Sequence, residues 1–365
     1  MKIISKLLTF VAVLALGAGY LVGNDLTIQG FVNSVPFIQL AIVALIAVYS
    51  SYVHIILHEL GHYVFGKMTG YQLIYFQLPY FRYEAKKKTF SKLGNRIPGM
   101  MGQCLMQPPV KGTYKEKPYF LYLAGGLIVN FITASLFYLG SFIIPGTISF
   151  TFFALSIPPF LLFMANVLPY GFTDGGVIRE LRKSEVSRTL YFKQLELAAL
   201  FEEGKEFSEI PDSYFSEIAD GTYTESKMGE YILLIAYQKY VAELDFEKAD
   251  KLLQAYQANW NYLASPYARI LASEILFIHA IFGRKKEAEQ LMAQIESYPL
   301  LKNYYDHSKV TKAAYQFFVK TNVAEATKNL NQTSTNSEAG FNEAELSLRD
   351  NLVNWLESYL GSEVR

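Results

Sequence analysis

The chain reads as a mainly α-helical, polytopic membrane protein. It has about four transmembrane helices, a small β-rich membrane-associated segment and a cytoplasmic α-helical repeat domain. Three observations predict this. Hydrophobic residues make up 51% of the 365 and charged residues only 18%, too apolar for an ordinary soluble protein and too charged for a wholly embedded one. The apolar residues are segregated: long apolar runs fill the chain to about residue 168, and amphipathic helical patterns follow from about residue 184. Lysine and arginine alternate between loops in the pattern that sets membrane orientation. The expected parts are an N-terminal transmembrane anchor and external loop over 1–35, an intramembrane core over 36–183 and the helical-repeat domain over 184–365.

Four stretches, 7–23, 36–57, 119–140 and 148–169, reach or approach the roughly 20 residues that cross ~30 Å of hydrocarbon. The first follows Lys2 and Lys6, so a signal peptide competes, but Ala15-Leu16-Gly17 is a poor cleavage site and an uncleaved anchor is the better reading. Loop 24–35 has no Lys or Arg, whereas ten lie from Lys67 to Lys117. None lies around Pro145-Gly146, and Arg179, Arg182, Lys183 and Arg188 follow the fourth span. Both termini and the inner ends of spans two and four are therefore expected on the cytoplasmic side of a multi-pass cell-membrane protein. The single cysteine, Cys104, excludes an internal disulfide and a cysteine-based metal site. The net charge of zero averages unlike halves and identifies no partner; no nucleic acid is expected.

Span two runs into His58-Glu59-Leu60-Gly61-His62. On a helix the two histidines are i and i+4, so both imidazoles leave one face and can grip one ion. Glu59 lies close enough to take a proton from an attacking water. Polar residues carrying a helix end into the headgroups is the competing reading, disfavoured because ionisable groups at membrane depth are costly. Two histidines leave a zinc site one protein ligand short. The only acid near the end of another span is Asp174, in Asn166-Val167-Leu168-Pro169-Tyr170-Gly171-Phe172-Thr173-Asp174-Gly175-Gly176. Pro169 breaks the helix and the glycines let the backbone fold close. By topology Asp174 emerges on the same side as His58. Alone it would be a turn residue; beside an unfilled metal site it is the candidate third ligand.

At these residues the chain resembles the site-2 protease family of intramembrane zinc metalloproteases. The resemblance rests on the His58–His62 motif in the first core helix and on Asn166-x-x-Pro169 followed by Asp174-Gly175 in the third. A weaker match, Gly126-Leu127-Ile128-Val129-Asn130-Phe131, falls in the second, where Leu127 replaces the family's proline; coverage is about 36–180. The family implies one zinc ion (Zn2+) on His58, His62 and Asp174, with Glu59 as general base. It also favours at least one of Asn130 and Asn166 facing the substrate peptide bond or its oxyanion, although amides within apolar helices can equally tie helices together. His54, one turn before His58, is expected to line the site as a hydrogen-bonded histidine, with proton relay or substrate contact as alternatives. Three histidines on one straight helix cannot converge on a tetrahedral ion.

Residues 71–83 read as strand interrupted at Pro79. Such a strand could present an extended substrate by its edge, or form an amphipathic hairpin lying on the bilayer. Residues 99–109 resemble a re-entrant or membrane-facing loop without assigned chemistry, and Lys86-Lys87-Lys88 is expected to face water and anionic lipid. Pro158-Pro159 should bend or open span four, read as a packing kink with a gate as the alternative. In the second half Ala249, Ala288 and Ala326 recur 39 and 38 residues apart, which resembles tetratricopeptide-type hairpins in architecture. A polar linker over 331–340 precedes a last amphipathic helix over 343–360.

Together these expectations describe an intramembrane zinc endopeptidase. Its substrates would be membrane-spanning or signal-peptide segments cut near the cytoplasmic face, with a possible protein partner on the repeats and the lipid bilayer around the core. A membrane adaptor in immunity or transport, acting through the repeats, is the main alternative. A metal-dependent enzyme acting on a small lipid-borne amide is another. Glu59 argues against the adaptor, since a scaffold needs no base.

Overall fold

The computed structural model describes residues 2–30, 36–92, 101–169, 171–257, 265–335 and 343–363. The chain is mainly helical and divides into two compact units, Met1–Glu185 and Val186–Arg365.

The first unit opens with α1 (Lys2–Gly23), whose apolar part is Leu7–Gly23. At 1.5 Å per residue that part spans about 26 Å, short of the hydrocarbon thickness of ~30 Å. Three further helices are long and apolar enough to cross a membrane: α2 (Phe37–Met68), α3 (Phe120–Ile143) and α4 (Thr147–Val167). The expected four spans are therefore three full-length helices and one shorter one. Pro36 precedes α2, and α2 ends where the Thr69 N–H bonds back to Phe65 and Gly70 adopts φ 88°, a conformation glycine reaches freely. From Phe37 to His58 the helix rises about 32 Å, so the histidines leave it roughly one hydrocarbon thickness from its start.

The close approach of α3 to α2 depends on glycine. A Cβ on Gly61 would lie 2.4 Å from the Gly125 carbonyl oxygen, and one on Gly125 would lie 2.4 Å from that of Gly61. Backbone thus meets backbone at the level of the motif. α4 packs on α3 and runs through Pro158 and Pro159. It stops at Val167, and α5 (Asp174–Lys183) starts after Thr173, whose hydroxyl accepts the Gly176 N–H and donates to Leu168 O. Gly175 abuts the end of α4, where a Cβ would lie 2.0 Å from Val167 O.

Between α2 and α3 lies an antiparallel sheet of β1 (Gln72–Gln77), β2 (Phe81–Glu84), β3 (Thr89–Lys92) and β4 (Gln103–Gln107), in the order β3-β2-β1-β4. The strand expected over 71–83 is two strands joined around Pro79. β1 is flanked by β2 and β4, so it offers no edge for an incoming peptide, contrary to the first of the two expectations for it. Part of the expected re-entrant loop is instead β4; residues 99 and 100 lie outside the described residues.

The second unit is helical from α6 (Glu185–Glu202) onward. α7 (Gly229–Ala242) pairs with α8 (Phe246–Gln257), and α9 (Pro266–Ile281) with α10 (Lys285–Ser297). After α11 (Pro299–His307), α12 (Lys309–Ala314) continues as a π-turn and pairs with α13 (Val323–Thr335). The three hairpins turn alike: Leu244, Gly283 and Thr321 have φ of 57°, 68° and 52°. Ala249, Ala288 and Ala326 are each the fourth residue of the second helix and are fully buried. A larger side chain there would hold the paired helices apart. The expected linker begins later than 331, because Asn329 and Thr333 bond to carbonyls one turn back and keep the polar segment helical to Thr335; residues 336–340 lie outside the described residues. The final helix α14 (Glu343–Glu363) buries Ala344, Leu348, Leu356 and Leu360 on one stripe against α7, α12 and α13, and Trp355 rings with Phe246, Phe277 and Phe318. On α9, burial pushes the Glu274 carboxyl up to about 7 beside the Tyr237 hydroxyl.

Candidate metal centre

His58 and His62 stand one turn apart on α2, buried against α3. Gly126 makes room for the first, since a Cβ there would sit 2.5 Å from the imidazole. Asp174 reaches both from the first turn of α5. Nε2 of His58 lies 3.2 Å from Nε2 of His62 and 3.2 Å from Oδ2 of Asp174, and His62 Nε2 lies 3.6 Å from that oxygen. A tetrahedral zinc with ligand bonds of 2.0–2.2 Å requires donor atoms about 3.3–3.5 Å apart. The three separations, 3.2, 3.2 and 3.6 Å, each fall within about 0.1 Å of that range.

Hydrogen bonding fixes which atoms face inward. His62 Nδ1–H donates to the Tyr122 carbonyl at 2.7 Å, and a carbonyl can only accept, so a neutral His62 turns a bare Nε2 inward. Nδ1 of His58 lies 2.9 Å from the Asn130 amide. The amide's oxygen is buried with no donor; turned by 180°, it accepts the His58 Nδ1–H, and both Nε2 atoms then carry lone pairs. Asp174 Oδ2 is likewise buried without a hydrogen-bond donor. Three lone-pair atoms converging in a buried site repel unless a cation lies between them, so the donor set fits a metal ion.

Glu59 is buried beside this triangle, where it accepts the Cys104 N–H of β4. Gly102 allows the approach, because a Cβ there would lie 2.9 Å from Glu59 Cγ and Oε1. Tyr122 links the two sides: its carbonyl takes the His62 proton and its hydroxyl donates to Cys104 O at 2.8 Å. Sequence reasoning assigned nothing to Tyr122, Gly102 or the Cys104 backbone, because such roles depend on which face of a helix or strand meets the motif.

Of the other candidates, Asn130 contacts a donor residue of the triangle, as above. The Asn166 amide donates to Leu162 O on its own helix at 3.0 Å. His54 is buried, with Nδ1 at 2.8 Å from Ser50 O and Nε2 unpartnered. It stands edge-on to Phe137 and outside the triangle. The chain matches no protein-family model, no curated protein and no solved structure.

Proposed function

We propose that the chain is an intramembrane zinc endopeptidase of the site-2 protease kind, hydrolysing membrane-spanning or signal-peptide segments near the cytoplasmic face. The convergence of two bare imidazole nitrogens and one carboxylate oxygen beside Glu59 carries this reading. His58, His62 and Asp174 would hold one zinc, which when bound acts as a Lewis acid on the scissile carbonyl and acidifies the attacking water. Glu59 takes the water's proton and returns it to the leaving amine. Asn130 and the Tyr122 carbonyl keep both imidazoles in the ligating tautomer. The Cys104 N–H and the closeness of Gly102 confine the Glu59 carboxylate to one position. The packed α2–α3 backbone excludes water behind the histidines. In this reading the second unit is a helical-repeat domain that recognises the substrate's cytoplasmic tail or a partner protein.

Metal analysis of the purified full chain, paired with cleavage of a transmembrane peptide in vesicles, tests the proposal. Wild-type protein should carry about one zinc per chain. His58→Ala should lose it, whereas Glu59→Gln should keep it and lose roughly 100-fold or more in rate. Full activity in metal-free wild-type protein would end this reading.

A further inference from the structure

The β2–β3 hairpin has an apolar face that is largely open on β3 and partly open on β2 among the described residues. Pairing sets Phe81 opposite Lys92 and Tyr83 opposite Phe90, and directly paired residues share a face. That face therefore carries Phe81, Tyr83, Phe90 and Lys92, while Arg82, Glu84, Thr89 and Ser91 occupy the other. The aromatic rings touch, with centroids 6.2 Å apart for Phe81–Phe90 and 5.0 Å for Tyr83–Phe90. Phe90 is 72% exposed and Phe81 44%, and every residue of β3 is exposed.

Beyond the aromatics lies a cationic tip. Lys86, Lys87 and Lys88 form the turn, and Lys88 holds φ 53°, a conformation that glycine takes freely and lysine takes at a cost. Lys87 bridges to Glu84 at 3.4 Å. Lys86, Lys88 and Lys92 make no ion pair among the described residues. Aromatic rings next to unpaired lysines on long stems match the layering of a bilayer interface, where rings sit at headgroup level and ammonium groups reach the phosphates.

We propose that this hairpin is a binding site for anionic phospholipid. Phe81 and Phe90 sit at the boundary of headgroups and acyl chains, and Lys86 and Lys88 at the tip, with Lys92 beside Phe81, hold the headgroup phosphates. The inference rests on the membrane character of the first unit and is independent of the zinc reading.

The test uses the full chain with Trp260→Phe and Trp355→Phe, so that Phe90→Trp is the only indole. It is reconstituted in vesicles of about three parts phosphatidylcholine to one part phosphatidylglycerol, with acyl-chain bromines on one lipid or the other. Indole emission should be quenched by both, and brominated phosphatidylglycerol should quench roughly three-fold more per molecule. Lys86→Gln, Lys88→Gln and Lys92→Gln together, all at exposed sites, should bring that ratio to one while quenching persists. Equal quenching by both lipids in the hairpin with its lysines unaltered would remove the anionic site. Unquenched, water-like emission would put the hairpin in solvent. Blue-shifted but unquenched emission would mean a protein surface covers it. The last two outcomes overturn the lipid proposal outright.

Discussion

The Asn130 amide stands 2.9 Å from Nδ1 of His58 with none of its surface exposed. A group so placed decides which imidazole nitrogen keeps the proton, and so whether Nε2 can bind a cation. Asn130→Leu should weaken zinc affinity by roughly 10–100-fold, read by competition with a chromogenic chelator. Asn130→Asp, which can still accept the Nδ1–H, should recover most of the loss. Unchanged affinity in the leucine variant would show that the contact does not set the tautomer.

Gly61 and Gly125 are the second point of leverage. Alanine at either forces two backbones apart, since its Cβ would fall 2.4 Å from a carbonyl oxygen. Gly125→Ala should lower stability by about 1–3 kcal/mol and reduce bound zinc, measured by thermal unfolding in detergent and by metal analysis. Gly17→Ala is the control, because its added Cβ meets nothing within 4 Å. Equal behaviour of the two variants would contradict the backbone contact.

Burial lifts Glu274 from 4.5 to about 7. An acid that binds its proton more tightly when folded favours the folded state fully below pH ~4.5 and loses that contribution as pH rises towards ~7. The ceiling is about 3 kcal/mol, and partial exposure reduces it to about 1–2 kcal/mol. Urea unfolding followed by tryptophan emission should show the second unit weaker at pH 8 than at pH 5. Glu274→Gln should flatten that dependence. A wild-type midpoint that does not fall over this window would refute the shift.

The lysine and arginine asymmetry predicts orientation. A reporter after Arg365 should read as cytoplasmic, and one inserted near Gln29 as external. Reversal at both sites would place the triangle of His58, His62 and Asp174 at the opposite face.

Much of the centre was legible in the sequence, because its geometry is local. His58 and His62 share a helix face by periodicity, and Pro169 with its glycines announces the corner that delivers Asp174. What could not be read is long-range. That Cys104 in β4, with Gly102 just before the strand, lies against Glu59 depends on sheet order, and the mixed Gly, Met, Gln and Pro composition of that segment gave no alternation to follow. The alanine spacing of the second half was visible. That Leu244 and Thr321 would take the left-handed conformation Gly283 takes was not, since neither residue type signals it.

The donor triangle is also divided in time. Asp174 is made 174 − 58 = 116 residues after His58, roughly 6–23 s later at ~5–20 residues per second. Under the zinc reading, the nascent chain through that interval offers only two imidazoles, too few for a tight site. Hydrolytic competence is then withheld until the corner between α4 and α5 has docked, so a half-inserted chain cannot cut its neighbours at the site of synthesis.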